Sequence, residues 1–258
     1  LATPEDLARS LASELLADIA MAAGQGRPYL LGGPSGRTPA PVYRELVRQA
    51  TEKQADLSRL VIVMMDEYLV DGPEGPILCS PEAHYSCRRF FHEHLVEPLA
   101  RGLPPERTLR TGNLCCPQPA APAALERFLE ESGGIDGFLL ASGASDGHVA
   151  FNPPPADPDS RTRIIEIAEA TRRDNLGTFP DFQQLADVPR LGVSVGLGTI
   201  RDFSRRAVMV IHGEHKAPAA ARLSACEGFD PSWPASIIFE CREPRILLDA
   251  AAAARLGA

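Results

Sequence analysis

The sequence predicts an α/β protein whose mostly parallel sheet carries helices on both faces. Short apolar runs alternate along the chain with segments of helical periodicity, which is typical of strands joined by crossover helices. Residues 60–65 are apolar at every position, as expected for a strand that is buried on both sides of a parallel sheet. Because the chain has 258 residues and shows neither internal repeats nor a long linker, we expect residues 1–258 to form a single domain.

The first half of the chain supports this interpretation element by element. A helix is predicted over residues 4–22, where Thr3 can cap the first turn, Pro4 suits its start and leucines recur at helical spacing. Residues 29–31 then form a predicted strand that ends in a glycine-rich loop. Residues 39–53 are predicted as the next helix, with their apolar side chains on one side.

The same alternation continues through the second half. Helices are predicted at residues 125–131 and 216–226, strands at 137–141, 191–195 and 207–211, and an edge strand at 235–239. Strands that alternate with helices in this way favour one mostly parallel sheet.

Composition and charge exclude several classes of protein. Hydrophobic residues make up 44% of the chain and charged residues 23%, so a folded globular protein is expected. The net charge of −8 disfavours nucleic acid or an anionic membrane as a partner. No apolar run reaches the roughly 20 residues of a membrane helix, and the first residues lack the features of a signal peptide. The six cysteines form no C-x-x-C pair, so we expect reduced thiols, no metal site and a cytoplasmic location.

Ligands of such sheets bind at the carboxyl ends of the strands, and the first strand-end loop, residues 32–39, could hold an anion. Its glycines allow backbone N–H groups to approach a phosphate, and the helix that follows adds a partial positive charge. The Gly-Lys-Ser/Thr ending of a Walker loop is absent, and an ordinary glycine-rich turn explains the pattern equally well. The candidate binding residues of this loop are Gly33, Ser35, Gly36, Arg37 and Thr38.

Two further strand ends carry titratable side chains. Asp66 and Glu67 follow the apolar strand directly, and two adjacent carboxylates can be given different basicities by their surroundings. Asp146 and His148 follow the strand at 137–141, where the carboxylate could fix the imidazole tautomer for proton transfer. A solvated acidic turn and a hydrogen-bonded loop histidine are the alternatives. Lys216, at the start of a helix, could reach an anion in the same crevice or be a surface lysine.

Six sequence blocks, taken together, resemble the glucosamine-6-phosphate deaminases (isomerases), in a wider group that includes 6-phosphogluconolactonases. The resemblance runs from about residue 28 to about residue 245, and the second and third blocks are similar to the deaminase branch. The blocks are Gly-x-Pro-Ser-Gly-x-Thr-Pro (32–39), Met-Asp-Glu-Tyr (65–68), Asp-Gly-His-x-Ala-Phe-Asn (146–152), Ser-Arg-Thr-Arg (160–163), Ser-Val-Gly-x-Gly-Thr-Ile (194–200) and His-Lys-Ala (215–217).

The resemblance implies a Rossmann-like fold and a reaction that needs neither metal nor cofactor. It implies that Asp66 removes the C2 proton of an opened sugar, and that His148, oriented by Asp146, opens the ring. It also implies that Lys216 is the cation of a phosphate loop formed by Gly33, Ser35, Gly36 and Thr38.

Three positions depart from the family pattern. The glutamate that usually follows the third block, and completes a relay with the histidine, is Pro153 here. An arginine that the family places on the phosphate falls at Gly177; Arg37 is the predicted replacement, with Arg172 and Arg173 as alternatives. A basic residue of regulated relatives is Ile165, which disfavours allosteric activation by an acetylated sugar phosphate.

We therefore predict an aldose–ketose isomerase and deaminase that converts an amino-sugar phosphate, by default glucosamine 6-phosphate, into a ketose phosphate and ammonia. The alternatives are a phosphosugar isomerase with another substrate, a 6-phosphogluconolactonase-type hydrolase, and a sugar-phosphate binder without turnover. The expected partner is a small-molecule sugar phosphate, and the sequence leaves open whether the chain forms a homo-oligomer.

Overall fold

The computed structural model describes residues 1–256. Its strands are β1 (Tyr29–Gly33), β2 (Leu60–Met64), β3 (Asp66–Gly72), β4 (Gly75–Leu78), β5 (Leu114–Cys115), β6 (Gly137–Ala141), β7 (Arg163–Glu166), β8 (Leu191–Ser194), β9 (Ala207–Ile211) and β10 (Pro244–Leu248). Its α-helices are α1 (Pro4–Gly24), α2 (Ala40–Lys53), α3 (Cys87–Phe91), α4 (Glu97–Gly102), α5 (Ala124–Glu131), α6 (Glu169–Thr178), α7 (Leu197–Phe203) and α8 (Ala217–Ser224).

The main sheet is parallel and has the order β10-β9-β6-β1-β2-β5. Successive side chains of its central strands alternate between two hydrophobic cores, as the pleat of a strand requires. On β6, for example, Leu139 packs into a core with α1 to α4, whereas Phe138 and Leu140 pack into a core with α5, α7 and α8. The predicted α/β fold with helices on both faces is therefore confirmed.

Helix α1 shows how local sequence sets an element that then packs against the sheet. The Thr3 hydroxyl accepts a hydrogen bond from the backbone N–H of Asp6 at 3.1 Å, so that the predicted cap is present. Leu7, Leu11, Leu15 and Ile19 are each buried, which confirms the predicted helical spacing.

A second, antiparallel sheet with the order β4-β3-β8-β7 lies beside the main sheet and was not predicted. Two expectations are corrected by it. Residues 191–195 contribute β8 to this second sheet, not to the parallel one. Asp66 and Glu67 do not form the solvated acidic turn that was considered for them: the chain leaves the main sheet after β2 and enters β3 at Asp66, which pairs with Ser194. This crossing from one sheet into the other places Asp66 where the main sheet ends.

The predicted edge strand at residues 235–239 is also wrong, because these residues lie in a 3₁₀ helix, Pro234–Glu240. Ala235, Ile237 and Ile238 are fully buried, and a short apolar run that is buried on every side has the same pattern in a strand and in a helix. The edge strand in this part of the chain is β10, which pairs in parallel with β9 and begins at Pro244, a position that a strand end tolerates.

Helices within residues 1–256 include none that is long and apolar enough to cross a membrane.

Candidate active site

A cavity of about 300 Å³ opens at the carboxyl ends of β1 and β6, beside the start of β3. It brings together side chains from loops that are far apart in the sequence. Residues 34–38 form one wall, Asp66 and His148 lie on another, and Lys216 reaches in from the start of α8. The convergence of these strand-end segments is the arrangement expected of a ligand site in a parallel sheet.

The loop of residues 34–38 is held by contacts on its outer side. The Tyr43 hydroxyl donates to the Pro34 carbonyl at 3.0 Å, and His212 Nε2 lies 2.9 Å from the Thr38 carbonyl. Gly36 has a φ of +98°, in the region that favours glycine, and α2 begins four residues later at Ala40. The loop can therefore present backbone N–H groups and the positive end of a 14-residue helix to an anion.

Gly33 has a different place from the one predicted for it. It ends β1 beneath the loop, where an added Cβ would overlap the Tyr43 hydroxyl. Its small size thus allows Tyr43 to reach the Pro34 carbonyl, so that Gly33 supports the loop and does not line the cavity.

Arg37 and Lys216 are the cations of this end of the cavity. The Lys216 ammonium donates to the Ser142 carbonyl at 2.6 Å, which directs it toward the loop that follows β6. Burial lowers the pKa of Lys216 from its usual value, and the positive charge of Arg37 acts in the same direction. Two neighbouring positive charges repel each other, and a dianion that binds between them offsets this repulsion.

Asp66 is 7% exposed and is the carboxylate with the most unusual environment in the cavity. Its pKa is raised to about 7: burial is the main cause and the neighbouring Glu67 charge adds to it, while a hydrogen bond from Cys87 and the proximity of His148 act in the opposite direction. The Cys87 thiol donates to Asp66 Oδ1 at 3.4 Å. A carboxylate with a pKa near neutrality is a stronger base than an ordinary aspartate, while it still ionises at physiological pH.

Glu67 faces away from the cavity, which corrects its proposed place as a second site carboxylate. Its side chain is fully buried and accepts hydrogen bonds from the backbone N–H groups of Tyr68, Cys87 and Arg88, each at 2.9 Å. The Ser86 hydroxyl, the Arg88 guanidinium and the Cys79 thiol also donate to this carboxylate, at 2.8, 3.2 and 3.5 Å. Glu67 therefore fixes the start of α3 against β3.

Asp146 and His148 form a tight pair in the loop after β6. Asp146 Oδ1 lies 2.7 Å from His148 Nδ1, and the Thr171 hydroxyl lies 3.4 Å from the same nitrogen. Burial acts to raise the pKa of Asp146, but the hydrogen bond and charge of His148 outweigh it, and this pKa lies below its usual value. The pair packs against Gly143, where any Cβ would overlap the Asp146 carboxylate and the imidazole.

Arg172 and Arg173, the alternative phosphate ligands, do not face the cavity. Arg172 donates to the carbonyls of Leu185 and Val188 at 2.7 and 2.9 Å, and so ties α6 to the segment that follows it. Arg173 pairs with Glu169 on the exposed side of the same helix. Of the predicted replacements for the family arginine, Arg37 is the one that lines the cavity.

One wall of the cavity and one buried side chain were not predicted from the sequence. Helix α6 presents Thr171, Asp174, Asn175 and Thr178 to the cavity, a spacing of three or four residues that marks one helical face. This polar face could have been found from that periodicity. Cys87 also lines the cavity, and no local signal marks it, because its partners are distant in the chain.

Residues 1–256 contain no group of three or more His, Cys, Asp or Glu side chains arranged to hold a metal ion.

Fold and cavity together define an α/β protein in which a buried carboxylate and a carboxylate–imidazole pair share a site with a glycine-rich loop and two cations. The family of glucosamine-6-phosphate isomerases and 6-phosphogluconolactonases matches residues 2–247, and the chain belongs to this family. The resemblance inferred from the six sequence blocks is thereby confirmed.

Curated relatives and solved structures agree with this placement. The chain is 31% identical over 234 residues to glucosamine-6-phosphate deaminase 2 of Bacillus subtilis, covering 88% of this chain and 86% of the relative. It is 34% identical over 250 residues to the glucosamine-6-phosphate deaminase of Streptomyces avermitilis, covering 94% and 88%. A monomeric glucosamine-6-phosphate deaminase shares the fold, with a TM-score of 0.81 at 24% identity over 98% of this chain and 97% of that one. The 6-phosphogluconolactonase of Trypanosoma cruzi does so with a TM-score of 0.69 at 14% identity, over 100% and 96%.

Proposed function

We propose that the chain is an aldose–ketose isomerase and deaminase that acts on an amino-sugar phosphate, with glucosamine 6-phosphate as the substrate. The observation that carries this proposal is the shared cavity, in which Asp66 and His148 lie beside the loop of residues 34–38 and Lys216. The names of the curated relatives support the same reaction.

His148 performs the first step, the opening of the sugar ring. Its Nδ1 is held by Asp146, and its Nε2 makes no hydrogen bond to any group within residues 1–256. A ring nitrogen that is fixed in orientation and free of protein partners can take the proton of the anomeric hydroxyl and deliver it to the ring oxygen, so that the C1–O5 bond breaks with no net change in protons. Opening of the ring produces the aldehyde that acidifies the C2 proton.

Asp66 performs the isomerisation. Its carboxylate removes the C2 proton of the open aldose, which gives an enolamine, and it returns the proton to C1. The product of this step is the C2 imine of a ketose phosphate. Addition of water to that imine releases ammonia and leaves the ketose phosphate. The burial that raises the pKa of Asp66 to about 7 makes it suitable both to accept and to return this proton.

The phosphate group binds at the other end of the cavity. Backbone N–H groups of residues 34–38 and the start of α2 supply partial positive charge, and Arg37 and Lys216 supply full charges. Binding energy from this non-reacting group holds C2 against Asp66, so that proton transfer takes place within one bound geometry.

A lactonase-type hydrolysis is the second candidate, and Pro153 is the observation that favours it. The relay glutamate of the deaminase branch is absent at this position, which leaves His148 with Asp146 alone. An imidazole held by one carboxylate is sufficient to activate a water molecule for attack on a lactone carbonyl.

One experiment separates the candidates. The protein is incubated in D₂O with glucosamine 6-phosphate, other phosphosugars and 6-phosphogluconolactone, while the C2 proton is followed by NMR and ammonia is assayed. Exchange with release of ammonia supports the deaminase, and exchange alone supports a phosphosugar isomerase. Hydrolysis of the lactone without exchange supports the second candidate. Binding without turnover supports a sugar-phosphate sensor. Asp66→Asn should abolish exchange and leave binding largely intact, whereas Asp71→Asn, at the exposed end of the same strand, should change neither.

We also propose that residues 1–258 act as one domain in the cytoplasm. Both sheets contribute residues to the same cavity, and all six cysteines are free thiols.

A further inference from the structure

The contacts of Cys87 connect the two functional ends of the cavity. Its sulfur accepts a hydrogen bond from the Ser35 hydroxyl at 3.1 Å and donates one to Asp66 Oδ1 at 3.4 Å. Ser35 belongs to the loop of residues 34–38, the proposed anion-binding loop, and Asp66 is the proposed base. The two residues are 31 positions apart in the sequence, and the thiol bridges them directly.

Cys87 is held in this position by the carboxylate behind it. Its backbone N–H donates to Glu67 Oε1 at 2.9 Å, at the first residue of α3. Glu67 is fully buried, and it also accepts from Ser86 and Arg88, so that rotation of this segment would leave a buried charge without partners. The adjacent carboxylates thus have separate tasks: Glu67 fixes the backbone of Cys87, and the Cys87 thiol contacts Asp66.

We propose that Cys87 is a positioning residue for the reaction: its thiol orients the Asp66 carboxylate toward the substrate, favours its ionised form, and couples its position to the anion-binding loop through Ser35. This inference rests on the proposed function of Asp66 as the base. A thiol suits this place because it is a small, weak donor. It aligns the carboxylate without lowering its basicity as far as a charged donor would.

The buried surroundings of Cys87 agree with a neutral, donating thiol. Cys87 is 3% exposed, and burial together with the charges of Glu67 and Asp66 raises its pKa well above its usual value. The thiol therefore keeps its proton, which is the proton that Asp66 accepts in a hydrogen bond.

A direct test is the titration of the Asp66 carboxyl by ¹³C NMR, which requires no substrate, in the protein with Cys87 and in Cys87→Ala and Cys87→Ser. Loss of a hydrogen bond to the ionised form should raise the Asp66 pKa by about half to one pH unit in Cys87→Ala. The hydroxyl of Cys87→Ser should return it close to the original value. The other groups that face Asp66 are the same in all variants: Glu67, His148, Tyr43, Tyr68 and Cys116.

The kinetic counterpart is the acid limb of the pH profile of kcat/KM. In Cys87→Ala this limb should move to higher pH by the same amount, so that activity falls about three- to tenfold at pH 6 and much less at pH 9. The matched control is Cys241→Ala, which removes a thiol that is also buried but bonds to the Ile237 carbonyl. It should leave the limb in place.

The outcomes separate this inference from the proposed function. An unmoved Asp66 titration in Cys87→Ala, or an equal shift in Cys87→Ser or Cys241→Ala, overturns the positioning of Asp66 by Cys87 and leaves the deaminase proposal intact. Full C2 proton exchange in Asp66→Asn overturns the proposed function itself, and with it the role of Cys87.

Discussion

The indole ring of Trp233 lies directly against Gly147, the residue between the two members of the Asp146–His148 pair. A Cβ added at Gly147 would come closer than 3.0 Å to three atoms of this ring. Gly147 also has a φ of +66°, and its carbonyl accepts a hydrogen bond from Ala235 at 2.7 Å. The 3₁₀ helix Pro234–Glu240, for which a strand was predicted, therefore supports the loop that carries His148.

Gly147→Ala should consequently destabilise the protein and impair the site. We expect the free energy of unfolding to fall by at least about 2 kcal/mol, since both the backbone conformation and the overlap with Trp233 are unfavourable. Urea unfolding measures this change. Gly112→Ala is the matched control, because its Cβ would meet nothing within 4 Å and its backbone is not in the left-handed region. Equal effects of the two substitutions would contradict the packing argument.

Asp66→Asn should abolish activity but stabilise the folded protein, by an amount that depends on pH. The folded-state pKa of Asp66, about 7, lies above the ordinary value of 3.8, so the folded protein binds the proton more tightly than the unfolded chain. The contribution of Asp66 to the free energy of unfolding therefore falls as pH rises from about 4 to about 7. The neutral amide avoids this loss.

We expect the stability advantage of Asp66→Asn to grow between pH 4 and pH 7, to reach at least about 1 kcal/mol, and to remain level at higher pH. Denaturant unfolding at pH 4.5, 6 and 8 provides the measurement. Asp71→Asn, at the exposed end of β3, should show no such growth. An advantage of the same size at all three pH values would show that the carboxylate of Asp66 is not destabilised by burial.

The sequence predicted those parts of the site that follow directly from a local pattern. An apolar run that ends in polar residues marks a strand end, and this pattern made Asp66 and His148 candidates, although their roles were implied only by the family resemblance. Glycines and hydroxyl residues before a helix do the same for the loop of residues 34–38. These features depend on neighbours in the chain, which is why they were predictable.

Features that depend on distant pairing were missed. The second sheet arises because β3 pairs with β8, more than 100 residues away, and no local pattern shows that partnership. Asp66 and Glu67 are adjacent carboxylates, yet Asp66 lines the cavity and Glu67 is enclosed by the start of α3. Burial and hydrogen-bond partners, and not residue type, assign their different tasks.

Arg37→Ala should weaken binding of the phosphate group. Arg37 lines the cavity but is itself exposed, so solvent screening reduces the value of its charge. We expect KM for the sugar phosphate to rise about three- to tenfold with little change in kcat. Steady-state kinetics and competition by inorganic phosphate measure the effect. Arg173→Ala is the control, because that guanidinium pairs with Glu169 on the surface. A comparable rise in KM in Arg173→Ala would contradict direct binding of the phosphate by Arg37.

Asp146→Asn should slow catalysis without a large change in substrate binding. The carboxylate accepts a hydrogen bond from His148 Nδ1 at 2.7 Å and thereby fixes the ring with Nε2 toward the substrate, whereas an amide can turn its own N–H groups toward Nδ1 and reverse the tautomer. We expect kcat to fall about a hundredfold or more. If Asp146 acts only through His148, the double variant Asp146→Asn/His148→Ala should be about as slow as His148→Ala alone, because the second change then has nothing left to disturb. If the losses in rate of the two single variants instead multiply in the double variant, Asp146 contacts the substrate independently of His148.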